Sequence, residues 1–199
     1  MSSSGAGVLM ARSVEFGRRY NVPIIVKSTF TNNKGTVVKE KTMEEAIVSG
    51  VTHNDKEVKF TLFGVPDQPG IAGTVFGSLS EIGTNVDMIV QNVSKESITD
   101  ISFTAPSEQQ KDVEDALKNI SKQLDAKGYD VDENIARISI IGAGMKSESG
   151  VASKMFKTLG DNKINISMIS TSPIRVSCVI SSNDIEKALN VLHEEFITN

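Results

Sequence analysis

The chain contains the same folding unit twice. Gly70-Ile71-Ala72, Phe76, Leu79 and Asn85-Val86-Asp87-Met88-Ile89 return eighty positions later as Gly150-Val151-Ala152, Phe156, Leu159 and Asn165-Ile166-Ser167-Met168-Ile169. The exchanges Ile71/Val151 and Val86/Ile166 preserve shape, and each copy follows a short apolar stretch ending in glycine, Gly64 or Gly142. A self-similar period of this length marks a complete supersecondary unit with its own core, so two small units are expected.

Periodicity assigns the elements of each copy. Residues 8–20 read as a helix with Arg18 and Arg19 near its end, followed by a strand at 24–26 and a polar loop at 31–35. In the first copy the spacing predicts a strand over 58–64, a loop over 65–69 and a helix over 70–82 carrying Ile71, Val75, Phe76 and Leu79 on one face. Strands follow over 85–93 and 98–104, joined by a tight turn at 94–97. A second helix covers 107–124, with the stripe Val113, Leu117, Ile120 and Leu124, and a last strand starts at Gly128. The order is βαββαβ, an α+β ferredoxin-like arrangement. The second copy gives strand 137–142, helix 150–159, strands 165–170 and 174–180, and helix 183–196, without a fourth strand. An unpaired sheet edge would leave its core open. We therefore expect the unassigned apolar stretch at 46–51 to supply that strand, so that the first unit is inserted into the second; a frayed C-terminus is the competing explanation.

Composition excludes several function classes. A net charge of −4 and a pI near 5.3 provide no basic footprint for nucleic acid. No apolar run approaches the roughly 20 residues of a membrane span, and residues 1–7 do not resemble a signal peptide. A single cysteine rules out an intramolecular disulfide and fits a reducing cytoplasm. His53 and His193 lie far apart, so no metal is expected. Gly142-Ala143-Gly144 invites a dinucleotide reading, but Ser147 stands where that fingerprint needs its last glycine. A phosphate loop also fails, because no glycine precedes Lys146-Ser147. Cys178, in an apolar strand without a basic neighbour, reads as core. No constellation for catalysis and no cofactor site is expected.

One loop has chemistry that fits a small ligand. In Val65-Pro66-Asp67-Gln68-Pro69-Gly70-Ile71-Ala72 the carboxylate of Asp67 precedes a helix whose first N–H groups have no intrahelical partner. Such groups attract a carboxylate, and Asp67 attracts an ammonium, which together match an amino-acid zwitterion. By spacing alone the same residues are more often just a turn that begins a helix. Gln91-Asn92, a polar pair at a strand end, could bind a ligand or face water. Asn85 and Asn165 could equally be helix stops.

The motifs resemble a known family. The stretch from Phe63 to Ala72, Asn85 to Ser94, and Thr99-Asp100-Ile101-Ser102-Phe103-Thr104 are similar to the first ACT domain of aspartokinases. Ile141-Gly142-Ala143-Gly144-Met145 and Asn165-Ile166-Ser167-Met168-Ile169-Ser170-Thr171-Ser172 resemble the second. Residues 8–30 resemble the end of the kinase domain. The resemblance implies three regions: a kinase-domain remnant plus linker (1–43), a first ACT domain (58–134) and a second ACT domain (44–57 with 135–199). Their sheets would pair across a dimer. It implies a cytoplasmic regulatory part that does not itself phosphorylate aspartate, binds threonine at dimer seams, with lysine as a second candidate there, and partners itself or a catalytic subunit. Asp67, Gly70, Ala72 and Gln91, with Ile71 between them, match effector contacts of the first domain, and Asn165 and Ile166 match those of the second. On this resemblance, Asp67, Asn165 and Gln91 would meet the ammonium and hydroxyl of threonine, and amides near 70–72 or around Ile166 its carboxylate. Met145, Ala152 and Ser172 mark a possible second effector region. There Pro173 stands where the family commonly has Glu, and Ala152 replaces a Thr of some lysine-sensitive members, which weakens the case for lysine. Ser147 stands at the position of Asp67, so the two seams are not expected to be equivalent.

Overall fold

The computed structural model describes residues 7–39, 47–92, 97–146 and 148–198. Its first sheet is built on two long antiparallel strands, β4 (Glu57–Pro66) and β6 (Ile98–Pro106), with Phe60 opposite Phe103. Alternation sends Val58, Phe60 and Leu62 toward helices α2 (Ile71–Glu81) and α3 (Gln110–Gln123), which return Val75, Leu79, Val113, Leu117 and Ile120 to the same core. Phe60 and Phe103 stack at 5.3 Å, and Phe76 meets Phe103 edge-on at 5.7 Å. Each such contact adds about 0.5–1.5 kcal/mol beyond burial. β5 (Ile89–Gln91) and β7 (Gly128–Asp132) complete the order β5-β6-β4-β7.

β4 does not stop at Gly64 as the sequence suggests. Register shifts between Leu62 and Val65, and the strand then continues to Pro66, with Val65 opposite Thr99. Gly64 supplies the left-handed backbone this bulge needs (φ 63°), and its N–H donates to Asp100 Oδ1 at 2.8 Å. The expected strand over 85–93 is also shorter. Among the described residues the regular ladder covers Ile89–Gln91, while Asp87 and Met88 bond β6 only through Thr104.

The second sheet has the order β3-β8-β10-β9, formed by β3 (Gly50–Asn54), β8 (Ile135–Ile141), β9 (Met168–Ser172) and β10 (Arg175–Ser181). Its outer strand does come from upstream of the first repeat: Gly50 lies opposite Ile141 and Asn54 opposite Arg137. The strand sits later than the expected 46–51, and Ala46 lies outside the described residues. At Ile47–Val48 the main chain instead presses on Gly142, where an added Cβ would fall 2.0 Å from Ile47 O, and Val48 enters the core. α4 (Val151–Asp161) and α5 (Ile185–His193) cover this sheet, burying Met155, Leu159, Ala188 and Leu192. The expected last helix is divided into a 3-10 turn, α5 and a π turn at Glu194–Thr198.

Upstream, α1 (Ala11–Arg19) buries none of its residues. Next to it β1 (Ile24–Val26) pairs with β2 (Thr36–Val38), a strand the sequence reading did not assign.

The helix-free faces of the two sheets meet. Met88, Ile135, Met168 and Val179 form a small core of their own, with Val90 packed against it. Hydroxyl pairs lie on the same faces: Ser139 with Ser177 at 2.7 Å in the second sheet, and Thr61 with Ser102 at 3.0 Å in the first. Among the described residues no helix is long and apolar enough to cross a membrane.

Candidate functional site

The turn after β4 is held by main-chain bonds. The Asp67 N–H donates to Ser97 O at 2.8 Å, Gln68 N–H to Pro66 O at 3.1 Å and Ile71 N–H to Gln68 O at 3.3 Å. Gly70 adopts the left-handed region (φ 95°, ψ −14°) with no atom within 4 Å of where a Cβ would stand, so conformation alone demands glycine. Thr74 N–H returns to Gly70 O at 3.0 Å. The amides of Ala72 and Gly73 therefore remain at positions that helical bonding leaves open, at the positive end of the α2 dipole. The second copy repeats this backbone, with Gly150 at φ 94° and Lys154 N–H on Gly150 O at 2.8 Å. Ser147 lies outside the described residues.

β6 brings Asp67 and Gln91 to the same end of the first sheet. Pro66 lies opposite Ile98 on one side of β6, and Gln91 opposite Ile101 on the other. Both side chains are exposed, and β5 is an edge strand. The amides at the open end of α2, the exposed Asp67 carboxylate and the Gln91 carboxamide thus lie toward one end of the sheet, a set of groups with the chemistry for a ligand carrying both an acid and a base.

The remaining predicted residues divide by burial. Asn165 is exposed just before β9, an edge strand of the other sheet, and no hydrogen bond or ion pair among the described residues joins it to Asp67 or Gln91. Ile71 packs on the first core, while Ile166, Met145 and Ala152 pack on the second. At those four positions the main chain, and not the side chain, is the group best able to meet a ligand. Ser172 is exposed and closes the β9–β10 turn, donating from Oγ to Arg175 O at 3.4 Å.

A cluster that sequence reading missed lies where the sheets meet. Arg137, 3% exposed, donates from Nη2 and Nε to Glu57 Oε1 at 2.7 and 3.1 Å, and its Nη2 stands 2.9 Å from Asp87 Oδ2. Asp87 Oδ1 also pairs with Arg175 Nη2 at 3.3 Å. Glu57, Asp87 and Arg137 border a cleft of about 450 Å³ that also takes in Asn54, Lys56 and Asn85 but none of the predicted effector residues. The available sequence signal was a break in the repeat, Asp87 against Ser167.

Other chemistry finds little support. Among the described residues no group of three or more His, Cys, Asp or Glu side chains is arranged to hold a metal. Cys178 is buried, and that burial pushes its thiol up to about 12, which makes it a poor nucleophile.

Comparison with known proteins agrees with the two-unit architecture. ACT-domain models match residues 59–125 and 138–196. An aspartate kinase of Pseudomonas fluorescens is 44% identical over 98% of this chain, and the match covers 48% of that relative. The chain thus spans about half the length of the curated relatives it matches. Among solved structures, aspartokinase alpha and beta subunits match with TM-score 0.71 and 38% identity, over 75% of this chain and 98% of that one. The regulatory subunit of aspartate kinase from Thermus thermophilus matches with TM-score 0.72 and 35% identity, over 75% of this chain and 99% of that one. With two ACT units in tandem and near-complete coverage of these subunits, the chain belongs to the aspartokinase family and carries its regulatory ACT region.

Proposed function

We propose that this chain is a threonine sensor that conveys feedback control to aspartate phosphorylation and performs no phosphoryl transfer itself. One observation supports the reading: the register of the first sheet sets Pro66, next to Asp67 and the start of α2, opposite Ile98 and Gln91 opposite Ile101, toward the same end of β6 and beside an edge strand. In this reading the amides hold the carboxylate of threonine, and Asp67 and Gln91 take its ammonium and hydroxyl.

Asn165 joins the site from a second chain. If β5 of one chain pairs antiparallel with β9 of another, the beginning of β9 lies against the end of β5, so 165–167 approach Gln91. Such a pairing also satisfies two open sheet edges. Threonine at that seam ties two chains together and favours one quaternary arrangement; it inhibits only as far as it binds that arrangement better. Lysine is a weaker candidate, because Pro173 offers no carboxylate near Ser172, Met145 and Ala152 for a second ammonium. The domain limits of this reading are 58–134 for the first ACT domain and 44–57 with 135–199 for the second, with 1–43 belonging to the preceding kinase part.

Isothermal titration of the chain with threonine and lysine, alongside its mass in solution, tests the proposal. Saturable threonine binding with a shift toward dimer is expected, and lysine should give no heat at the same concentrations. A persistent dimer that binds neither amino acid would instead indicate a structural subunit that assembles catalytic chains.

A further inference from the structure

The repeat identifies a residue by the way one copy departs from the other. At position 167 in the second copy the serine is tied to its own sheet twice, through N–H to Val179 O at 2.8 Å and Oγ to the same oxygen at 3.2 Å. At the equivalent position 87 the main chain makes the matching bond, N–H to Thr104 O at 3.2 Å, but the side chain leaves its sheet. Its carboxylate reaches Arg137 at 2.9 Å and Arg175 at 3.3 Å, both in the other sheet.

The two partners differ in burial. Arg137 is 3% exposed and gripped by Glu57, which also accepts from Asn54 Nδ2 at 2.6 Å, so it is a fixed anchor. Arg175 is more open and begins β10, opposite Ser172 across the β9–β10 turn. On its own side Asp87 precedes β5, the strand that ends in Gln91. β5 is a three-residue edge strand, and just before it Asp87 N–H donates to Thr104 O and Thr104 N–H to Met88 O. The main chain at Asp87 and Met88 is thus held by its own sheet, and the Asp87 carboxylate alone crosses to the other one.

We infer that Asp87 is a positioning residue that couples the Gln91-bearing strand β5 to the β9–β10 turn of the second unit through Arg175, with Arg137 as the fixed pivot. The ligand that would drive this coupling rests on the threonine reading above; the mechanical link does not. When β5 moves, the carboxylate either draws Arg175 along or releases it, because the buried Arg137 cannot follow. That choice between paired and released gives the link two discrete arrangements.

Hydrogen exchange on the full chain without ligand tests the link, using Asp87→Asn, Asp87→Glu and Arg175→Gln. Asp87→Asn should speed exchange of the 172–176 segment about five-fold, and Arg175→Gln should do the same at 89–91, across the seam from the substitution. Asp87→Glu keeps the charge and should return 172–176 toward the wild-type rate. Unchanged exchange at 172–176 in Asp87→Asn overturns the inference, as does an equal effect of Asp87→Glu and Asp87→Asn. A threonine titration of the same variants adds a second readout. The two single neutral variants should shift affinity by a similar factor, and the double variant by no more than either; additive shifts would count against the link. If wild-type chain takes up no threonine, the sensor reading fails, while the ligand-free exchange still decides the role of Asp87.

Discussion

Asp67 is exposed at the turn between β4 and α2. Among the described residues its carboxylate makes no hydrogen bond or ion pair, and the turn around it is held by main-chain bonds alone. Removing that carboxylate should therefore affect binding and leave the fold intact. Asp67→Ala is expected to weaken threonine binding about ten-fold or more, since a hydrogen bond to a charged group contributes roughly 1.5–3 kcal/mol. Its unfolding free energy should stay within about 0.5 kcal/mol of wild type, as for other exposed positions. Titration calorimetry and urea denaturation on one preparation check both parts; a large loss of stability would show that Asp67 is structural.

At the scale of elements, the proposed dimer rests on the edge strands β5 and β9. Ile89 on β5 is 51% exposed and Ile169 on β9 is 44% exposed, unusual for isoleucines within strands. Ile89→Lys should leave the monomer folded and abolish the dimer in sedimentation velocity, because a charge on an edge strand blocks strand addition. A dimer that survives Ile89→Lys would move the seam elsewhere. The elements themselves were largely legible in the residues: the 3.6-residue stripe of α3 and the alternation in β4 and β6 are local patterns that core burial enforces. Their ends were less so. β4 runs past Gly64 because a bulge lets the strand resume pairing, and the ladder expected from 85 is confined to Ile89–Gln91, with Asp87 and Met88 bonded outside it to Thr104. β2 was missed because three residues beside a polar loop give too short a pattern.

At the scale of the molecule, the contact between the sheets is both apolar and ionic. Glu57→Ala would leave the nearly buried Arg137 with only Asp87, and breaking a buried pair from one side costs about 3–5 kcal/mol. Urea denaturation should show a loss of that size. Replacing Glu57 and Arg137 together by methionine should cost much less, because no charge is then left buried without a partner. Equal losses in the single and double variants would mean that shape, and not charge, dominates at this place. The sequence by itself determined the doubled unit, the helix faces and the glycines that begin α2 and α4, because each of these follows from neighbouring residues and backbone sterics. Only the tertiary structure decided that Glu57 meets Arg137, eighty positions away, that Asp87 turns out of its own sheet, and that Ile71, Ile166, Met145 and Ala152 lean on the cores. Pairings between distant charges and the direction a side chain takes at a sheet edge leave no periodic trace in a chain; they are fixed when two faces meet and exclude water between them.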